Sequence, residues 1–184
     1  LLNEAKLFSE WYAPTKINKF QIRKFKKGYE NEVKKLLSKL NLKNDTFVHR
    51  DFHVSNLMYV KNNIAVIDSQ DALIGNKAYD LASLVDDVRF KTSNKLKNKI
   101  LNNYFKKLKK TEIKEFINDF EILSVLRNLK IIGIFMRLAL RDNKKKYTKM
   151  IPYAWEMINY RMKKNREFVN LKLILKRNFP KFVK

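Results

Sequence analysis

Three oxygen-bearing side chains with a regular spacing are the residues best suited to chemistry in this sequence. Asp51 and Asn56 are five residues apart, and Asp68 follows Asn56 by twelve. A carboxylate can accept the proton of a hydroxyl group, while an amide oxygen and a second carboxylate are hard ligands of the kind that Mg²⁺ prefers. Phosphoryl transfer needs such groups, because it depends on positioning and on neutralising phosphate charge.

A predicted β-hairpin explains how the two expected metal ligands could meet. The apolar runs 57–60 and 64–67 are strand-like, and the three polar residues between them form a loop of hairpin length. The chain leaves Asn56 on the first strand and returns to Asp68 at the end of the second, a strand that looks buried. The hairpin therefore brings both side chains to one place.

The surrounding stretch is acidic although the whole chain is basic. Residues 48–90 contain six of the nine Asp residues and only four Lys or Arg, whereas the chain carries a net charge of +23. Local acidity of this kind indicates a site built for a cation.

Other polar residues of this region are expected to have supporting or structural roles. We expect His49 and His53 to hold the backbone of the loop through hydrogen bonds, and Asp71 to support the site. Asp80 is expected to cap or brace the helix that begins near it. Asp45 and Asp119 are expected to be helix caps or solvated loop residues, and Asp86 and Asp87 to be exposed helix residues.

Composition excludes several classes of site. The chain of 184 residues has no Cys and two His, which excludes disulfides, thiolate zinc sites and a cysteine nucleophile. The absence of Cys suits a reducing compartment, so a cytoplasmic location is expected. The longest apolar stretch, 131–140, is too short to span a bilayer and contains Arg137, so we expect no membrane partner.

The high positive charge leaves a nucleic-acid partner as an alternative. A pI near 10.1 is typical of nucleic-acid binding, and a basic, non-catalytic nucleic-acid-binding module is the rival function. However, 32 of the 41 basic residues are Lys in a chain also rich in Asn and Ile, a composition that AT-rich coding produces. RNA-binding aromatic patterns are missing, so we do not expect nucleic acid to bind.

The predicted fold class is α+β, mainly helical, with one β-hairpin at the expected catalytic loop, residues 49–56. We find no linker or repeat, so residues 1–184 are expected to form a single domain. Apolar periodicity predicts helices over residues 1–13, 21–40, 78–90, 94–109, 111–141 and 145–164.

Several sequence blocks resemble the aminoglycoside phosphotransferase/choline kinase superfamily, and most closely its anomeric N-acetylmuramate/N-acetylglucosamine kinases. Residues 49–56 match the kinase catalytic-loop pattern H-R-D-x-x-x-x-N, and the other blocks are 7–12 (LFSEWY), 68–72 (DSQDA), 78–84 (AYDLASL) and 127–135 (RNLKIIGIF). The resemblance implies a protein-kinase-like C-terminal lobe that uses ATP and Mg²⁺ on a sugar hydroxyl. By resemblance Asp51 is the catalytic base, and Asn56 and Asp68 bind Mg²⁺. Another small-molecule hydroxyl kinase, of the aminoglycoside or choline type, is the alternative.

Two departures from the family pattern affect this interpretation. Ser69 replaces the usual Phe beside the expected metal ligand Asp68, although the ligand itself is kept. The glycine-rich loop and strand lysine of an N-terminal nucleotide lobe are absent from the chain, which also does not begin with Met. We therefore expect the missing lobe of the same protein to be a partner, the chain alone to be inactive, and an exposed apolar surface to surround the cleft.

One long helix carries basic residues on a single face. Arg127, Lys130, Arg137 and Arg141 recur at helical spacing, and we predict that Arg127 and Lys130 bind the substrate. The alternative is a solvated helix face. Gly133 lies within the same helix, where it costs about 1 kcal/mol relative to Ala, which indicates close packing at that point.

Overall fold

The computed structural model describes residues 1–163 and 165–183, and most of them are helical. A π-helical turn covers Phe8–Tyr12, and short 3-10 turns include Val54–Asn56 and Lys145–Met150. The mainly helical class is thus confirmed. The helices are α1 (Leu2–Leu7), α2 (Lys19–Leu37), α3 (Ala78–Val85), α4 (Asn94–Phe105), α5 (Lys110–Arg141), α6 (Ile151–Met162) and α7 (Val169–Asn178).

Local capping explains where several helices begin. The side chain of Asn18 accepts a hydrogen bond from the backbone N–H of Gln21 and starts α2, and Ser93 caps α4 in the same way. The helix predicted over 145–164 is divided, because α6 begins only at Ile151, where Pro152 occupies the first turn. The helix predicted over 78–90 ends at Val85.

Four short strands form two antiparallel pairs. They are β1 (Asn44–Val48), β2 (Leu57–Val60), β3 (Asn63–Val66) and β4 (Leu73–Asn76). The predicted hairpin is present as β2–β3, with Lys61 and Asn62 at positive φ in its two-residue turn. The prediction of one hairpin is incomplete, because β1 also pairs with β4.

The chain divides into two compact units, which are described separately. The terminal unit comprises Leu1–Lys39 and Val125–Lys184, and the central unit comprises Leu40–Ser124. The terminal unit has an aromatic core in which Phe8 contacts Tyr12, Tyr29, Trp155 and Phe179 at ring-centroid distances of 5.3 to 5.7 Å. The Tyr29 hydroxyl donates to the Ala5 carbonyl at 3.0 Å, and burial raises the Tyr29 pKa.

Close packing at Gly133 is confirmed. A Cβ placed on this residue would lie 2.3 Å from the carbonyl carbon of Leu7 and 2.5 Å from the amide nitrogen of Phe8. Those atoms belong to the backbone, so they cannot move aside as a flexible side chain could. Gly133 therefore allows α5 and the α1 backbone to touch.

We predict that Gly133→Ala lowers the free energy of unfolding by about 1 to 3 kcal/mol, because overpacking outweighs the gain in helix propensity. Urea denaturation measures the change. Gly28→Ala in α2 is the matched control, since a Cβ there meets nothing within 4 Å; it should stabilise by up to about 1 kcal/mol. Equal stabilisation by both substitutions would contradict the close contact.

Two acidic residues of the central unit, Asp86 and Asp87, are buried although the sequence predicts them to be exposed. Asp86 is fully buried, accepting from Lys97 Nζ at 2.7 Å and from Ser124 Oγ at 2.6 Å. Asp87 is also buried and pairs with Arg89. The prediction that both are exposed helix residues is wrong. The buried Lys97 ammonium and Ser124 hydroxyl satisfy Asp86, and Arg89 pairs with Asp87.

Asp119 is also buried, so the prediction that it is a helix cap or a solvated residue is wrong. Its carboxylate accepts from the backbone N–H groups of Asn41 and Leu42, each at 2.9 Å, and from Asn76 Nδ2 at 2.7 Å. Because Asn76 ends β4 and Asn41 precedes β1, this one side chain of α5 anchors both strands of the β1–β4 pair.

Candidate active site

The loop that follows β1 is held by a carboxylate thirty residues away. Asp80 Oδ2 accepts from the His49 N–H at 2.7 Å, and Oδ1 accepts from the Arg50 N–H at 3.0 Å. Arg50 has a φ of 71°, a left-handed conformation that costs a non-glycine residue energy. Asp80 therefore stabilises a strained loop, and the expectation that it caps or braces its own helix misses this role.

The His49 side chain joins the same loop to the end of the hairpin. Its Nε2 lies 3.0 Å from the carbonyl oxygen of Ile67, and because a carbonyl only accepts, Nε2 carries the proton. His49 is buried. The contact agrees with the structural role predicted for this residue.

Asn56 connects the loop to the hairpin from the other side. Its side-chain Nδ2 donates to the Asp51 backbone carbonyl at 3.0 Å. The backbone carbonyl of Asn56 accepts from the Ile67 N–H at 3.1 Å. Asn56 is only 8% exposed. The Nδ2 bond fixes which end of the side-chain amide faces the backbone, so Oδ1 remains as an acceptor that receives no hydrogen bond from the described residues.

Asp68 follows Ile67 directly and has a φ of 69°, so the chain turns sharply where β3 ends. Its side chain is exposed, and that of Asp51 is half-buried. Neither carboxylate forms a hydrogen bond or ion pair with any residue that the structure describes. The backbone contacts hold the Asp51, Asn56 and Asp68 segments together while their acceptor atoms stay available.

The available oxygen atoms of Asn56 and Asp68 fit Mg²⁺ better than a metal ion that needs three or more protein ligands. Across residues 1–163 and 165–183, no group of three His, Cys, Asp or Glu side chains is placed to hold a metal ion. A cation here would have the Asn56 amide oxygen and the Asp68 carboxylate as its protein ligands. Mg²⁺ commonly takes one or two protein ligands and completes its shell with phosphate oxygens and water.

The other predicted site residues fall into two groups: Asp71 and His53 form contacts with the loop, whereas Arg127 and Lys130 lie in the terminal unit. The backbone of Asp71 accepts from the Arg50 guanidinium at 3.3 Å, and the His53 N–H donates to the Asp51 carbonyl at 3.0 Å. In the terminal unit Arg127 is almost fully buried, and Lys130 donates to Glu4 at 3.0 Å. An anion at Lys130 would have to compete with Glu4, so substrate binding by Arg127 and Lys130 stays a prediction.

Exposed apolar side chains surround the loop, as expected. The expectation of a buried second strand is wrong, since residues 61–70 are all exposed. The β2–β3 pair is a sheet of only two strands, which cannot shield its own side chains from water, so β3 is exposed instead of buried. The exposed apolar residues of the hairpin and its end are Met58, Tyr59, Val60, Ile64, Val66 and Ile67.

Sequence reasoning missed Asp80 and β4 as parts of the site. The block 78–84 indicates a family resemblance and a helix that Asp80 would cap or brace. Hydrogen bonds from Asp80 to two distant backbone N–H groups leave no pattern in the sequence. β4 has four residues, one of them Gly75, whose Cβ would approach Val48 Cγ2 to 3.3 Å. Small size at this position lets β4 pair closely with β1.

Comparison with known proteins identifies the family. Residues 2–116 match the phosphotransferase enzyme family. The chain is 33% identical over 177 residues to an N-acetylmuramate/N-acetylglucosamine kinase of Neisseria meningitidis, covering 93% of this chain and 52% of that protein. A kinase of the same name from Pseudomonas aeruginosa is 29% identical over 181 residues, with the same two coverages.

A third protein of that name, from Caulobacter vibrioides, is 32% identical over 114 residues, which are 59% of this chain and 31% of that protein. The chain thus spans about half the length of the Neisseria and Pseudomonas relatives, and less of the Caulobacter one. None of the helices in the described residues has the length and apolar character needed to cross a membrane. The family match covers more than half of the sequence and includes the whole catalytic loop, so the chain belongs to the phosphotransferase enzyme family.

Proposed function

We propose that this protein is an ATP-dependent kinase that phosphorylates a sugar hydroxyl, the anomeric hydroxyl of an N-acetylated amino sugar. The observation that carries the proposal is the set of available acceptors on Asp51, Asn56 and Asp68. Asp80 and the Asn56 amide hold the backbone of the loop beside them. Relatives named N-acetylmuramate/N-acetylglucosamine kinase support the choice of sugar.

In the proposed reaction Asp51 accepts the proton of the sugar hydroxyl as its oxygen attacks the γ-phosphorus of ATP. The new O–P bond forms while the bond to the β–γ bridging oxygen breaks, and ADP leaves. Asn56 Oδ1 and the Asp68 carboxylate would hold Mg²⁺, which neutralises phosphate charge when bound. His49 and Asp80 keep the loop in place throughout.

A second lobe of the same protein completes the proposed site. The exposed apolar hairpin beside the loop supports it, because patches of this kind mark contact surfaces. The match to only about half the length of the Neisseria and Pseudomonas relatives also supports a second lobe. The lack of Cys fits a cytoplasmic reaction.

Asp68→Asn should weaken binding of the Mg²⁺–nucleotide complex in the intact protein by about tenfold or more, because a neutral amide replaces the charged ligand. Titration of turnover with Mg²⁺ at fixed ATP measures this. Asp45→Asn, an exposed residue of β1, is the control and should leave the titration unchanged. An unaltered Mg²⁺ requirement in Asp68→Asn would remove Asp68 from the metal site.

A panel of acceptors tests the substrate class separately. N-acetylglucosamine and N-acetylmuramate should support ADP release, and choline and an aminoglycoside should not. Turnover with choline or the aminoglycoside alone would establish a related hydroxyl kinase and refute the amino-sugar assignment.

A further inference from the structure

The positive charge is concentrated in one of the two units. The terminal unit contains 27 Lys and Arg against 7 Asp and Glu, whereas the central unit contains 14 against 11. A coding bias toward Lys would act on the exposed surfaces of both units, so it does not explain why acidic residues are scarce in only one. The terminal unit is therefore suited to an anionic partner.

An open cleft of about 700 Å³ lies between α2 and α7 in this unit. Phe25 and Ile174 contribute apolar lining, and Lys24 and Arg177 contribute exposed cations. Neither cation forms an ion pair with an acidic side chain among the residues that the structure describes. Two uncompensated cations beside apolar lining suit a ligand that is both anionic and apolar.

Exposed apolar residues stand one helical turn before each cation. Phe20 precedes Lys24 on α2 and is 97% exposed, and Leu173 precedes Arg177 on α7 and is 63% exposed. Residues at i and i+4 share a helix face, so each helix carries an exposed apolar residue and a cation on one face; Leu173, Lys24 and Arg177 also line the cleft. Val169, 56% exposed, extends the apolar side along α7.

We propose that this α2–α7 face binds the surface of an anionic phospholipid bilayer. Phe20 and Leu173 enter the interface, and Lys24 and Arg177 contact lipid phosphates. Helices with exposed apolar residues beside a Lys-rich face are suited to bilayer surfaces. The expectation of no membrane partner rested on the lack of a spanning segment, which peripheral binding does not need.

The same face is less suited to nucleic acid. Single strands are held by stacking of bases on aromatic side chains together with cationic contacts. Phe20 is aromatic, but the aliphatic Leu173 and Val169 offer no stacking surface and gain free energy on leaving water at a bilayer interface.

Cosedimentation of the intact protein with vesicles tests the proposal. Vesicles of equal parts phosphatidylglycerol and phosphatidylcholine should bind it, and pure phosphatidylcholine vesicles should bind it at least about tenfold more weakly. Lys24→Gln/Arg177→Gln should weaken binding by about 30-fold. Phe20→Ser/Leu173→Ser should weaken it by about tenfold.

Lys95→Gln/Lys99→Gln on α4 removes the same charge from exposed positions of the central unit and should change binding by less than about twofold. Circular dichroism establishes that each variant is folded. Equal binding to both vesicle types would overturn the proposal, and so would an equal loss in the α4 control. Tighter binding to a single-stranded oligonucleotide than to phosphatidylglycerol vesicles, lost in Lys24→Gln/Arg177→Gln, would assign the face to nucleic acid instead.

Discussion

Asp51→Asn is expected to lower kcat of the intact protein by about 10²- to 10⁴-fold, the usual contribution of a general base. The amide cannot accept the proton of the attacking hydroxyl. Asp51 is half-buried, and no described residue donates to its side chain, so the substitution disturbs no hydrogen bond of the loop. Its backbone carbonyl, which receives the Asn56 and His53 bonds, is unchanged.

Nucleotide binding separates a catalytic effect from a structural one. Asp51→Asn should bind Mg²⁺–ATP within about twofold of the unmodified protein, because the expected metal ligands Asn56 and Asp68 remain. Steady-state kinetics gives kcat, and calorimetric titration with a non-hydrolysable nucleotide gives the affinity. Turnover close to normal would remove Asp51 from the role of base.

Asp80→Asn should lower kcat by about 10- to 100-fold and also destabilise the protein by about 1.5 to 3 kcal/mol. The amide loses the charge that strengthens both bonds to the loop, and its NH₂ group would face a backbone N–H. Arg50 would then be free to relax from its φ of 71°, which would displace Asp51. The KM for ATP should change much less than kcat.

Asp119→Asn is the matched control for this effect. Asp119 also accepts from two backbone N–H groups, those of Asn41 and Leu42, but outside the catalytic loop. It should lose similar stability while kcat falls by less than about threefold. If both variants lost kcat equally, the effect of Asp80 would be general destabilisation rather than positioning of the loop.

The parts of the site that could be predicted depend on local sequence. The hairpin is encoded by two short apolar runs and a polar turn, and it alone brings Asn56 near Ile67 and Asp68. The candidate ligands could therefore be named from spacing, although their roles remain predictions.

The missed features depend on contacts between distant residues. Asp80 accepts from backbone N–H groups about thirty residues before it. Asp86 pairs with Lys97 of α4 and accepts a hydrogen bond from Ser124 of α5. A sequence shows that an acid is present but not whether a cation or N–H group will be packed against it. For that reason local sequence does not predict the burial of Asp86, Asp87 and Asp119, or the strand β4.

The proposed reaction transfers the γ-phosphoryl group of ATP to an anomeric hydroxyl. The most direct measurement incubates the intact protein with Mg²⁺, ATP and N-acetylglucosamine, and follows ADP together with the reducing end of the sugar. We predict that each ADP formed removes one reducing end, because phosphorylation at C1 blocks ring opening, and that chelation of Mg²⁺ stops both changes. ADP formation with the reducing end retained would place the phosphate on another hydroxyl, and absence of sugar-dependent ADP with both N-acetylglucosamine and N-acetylmuramate would contradict the proposed function.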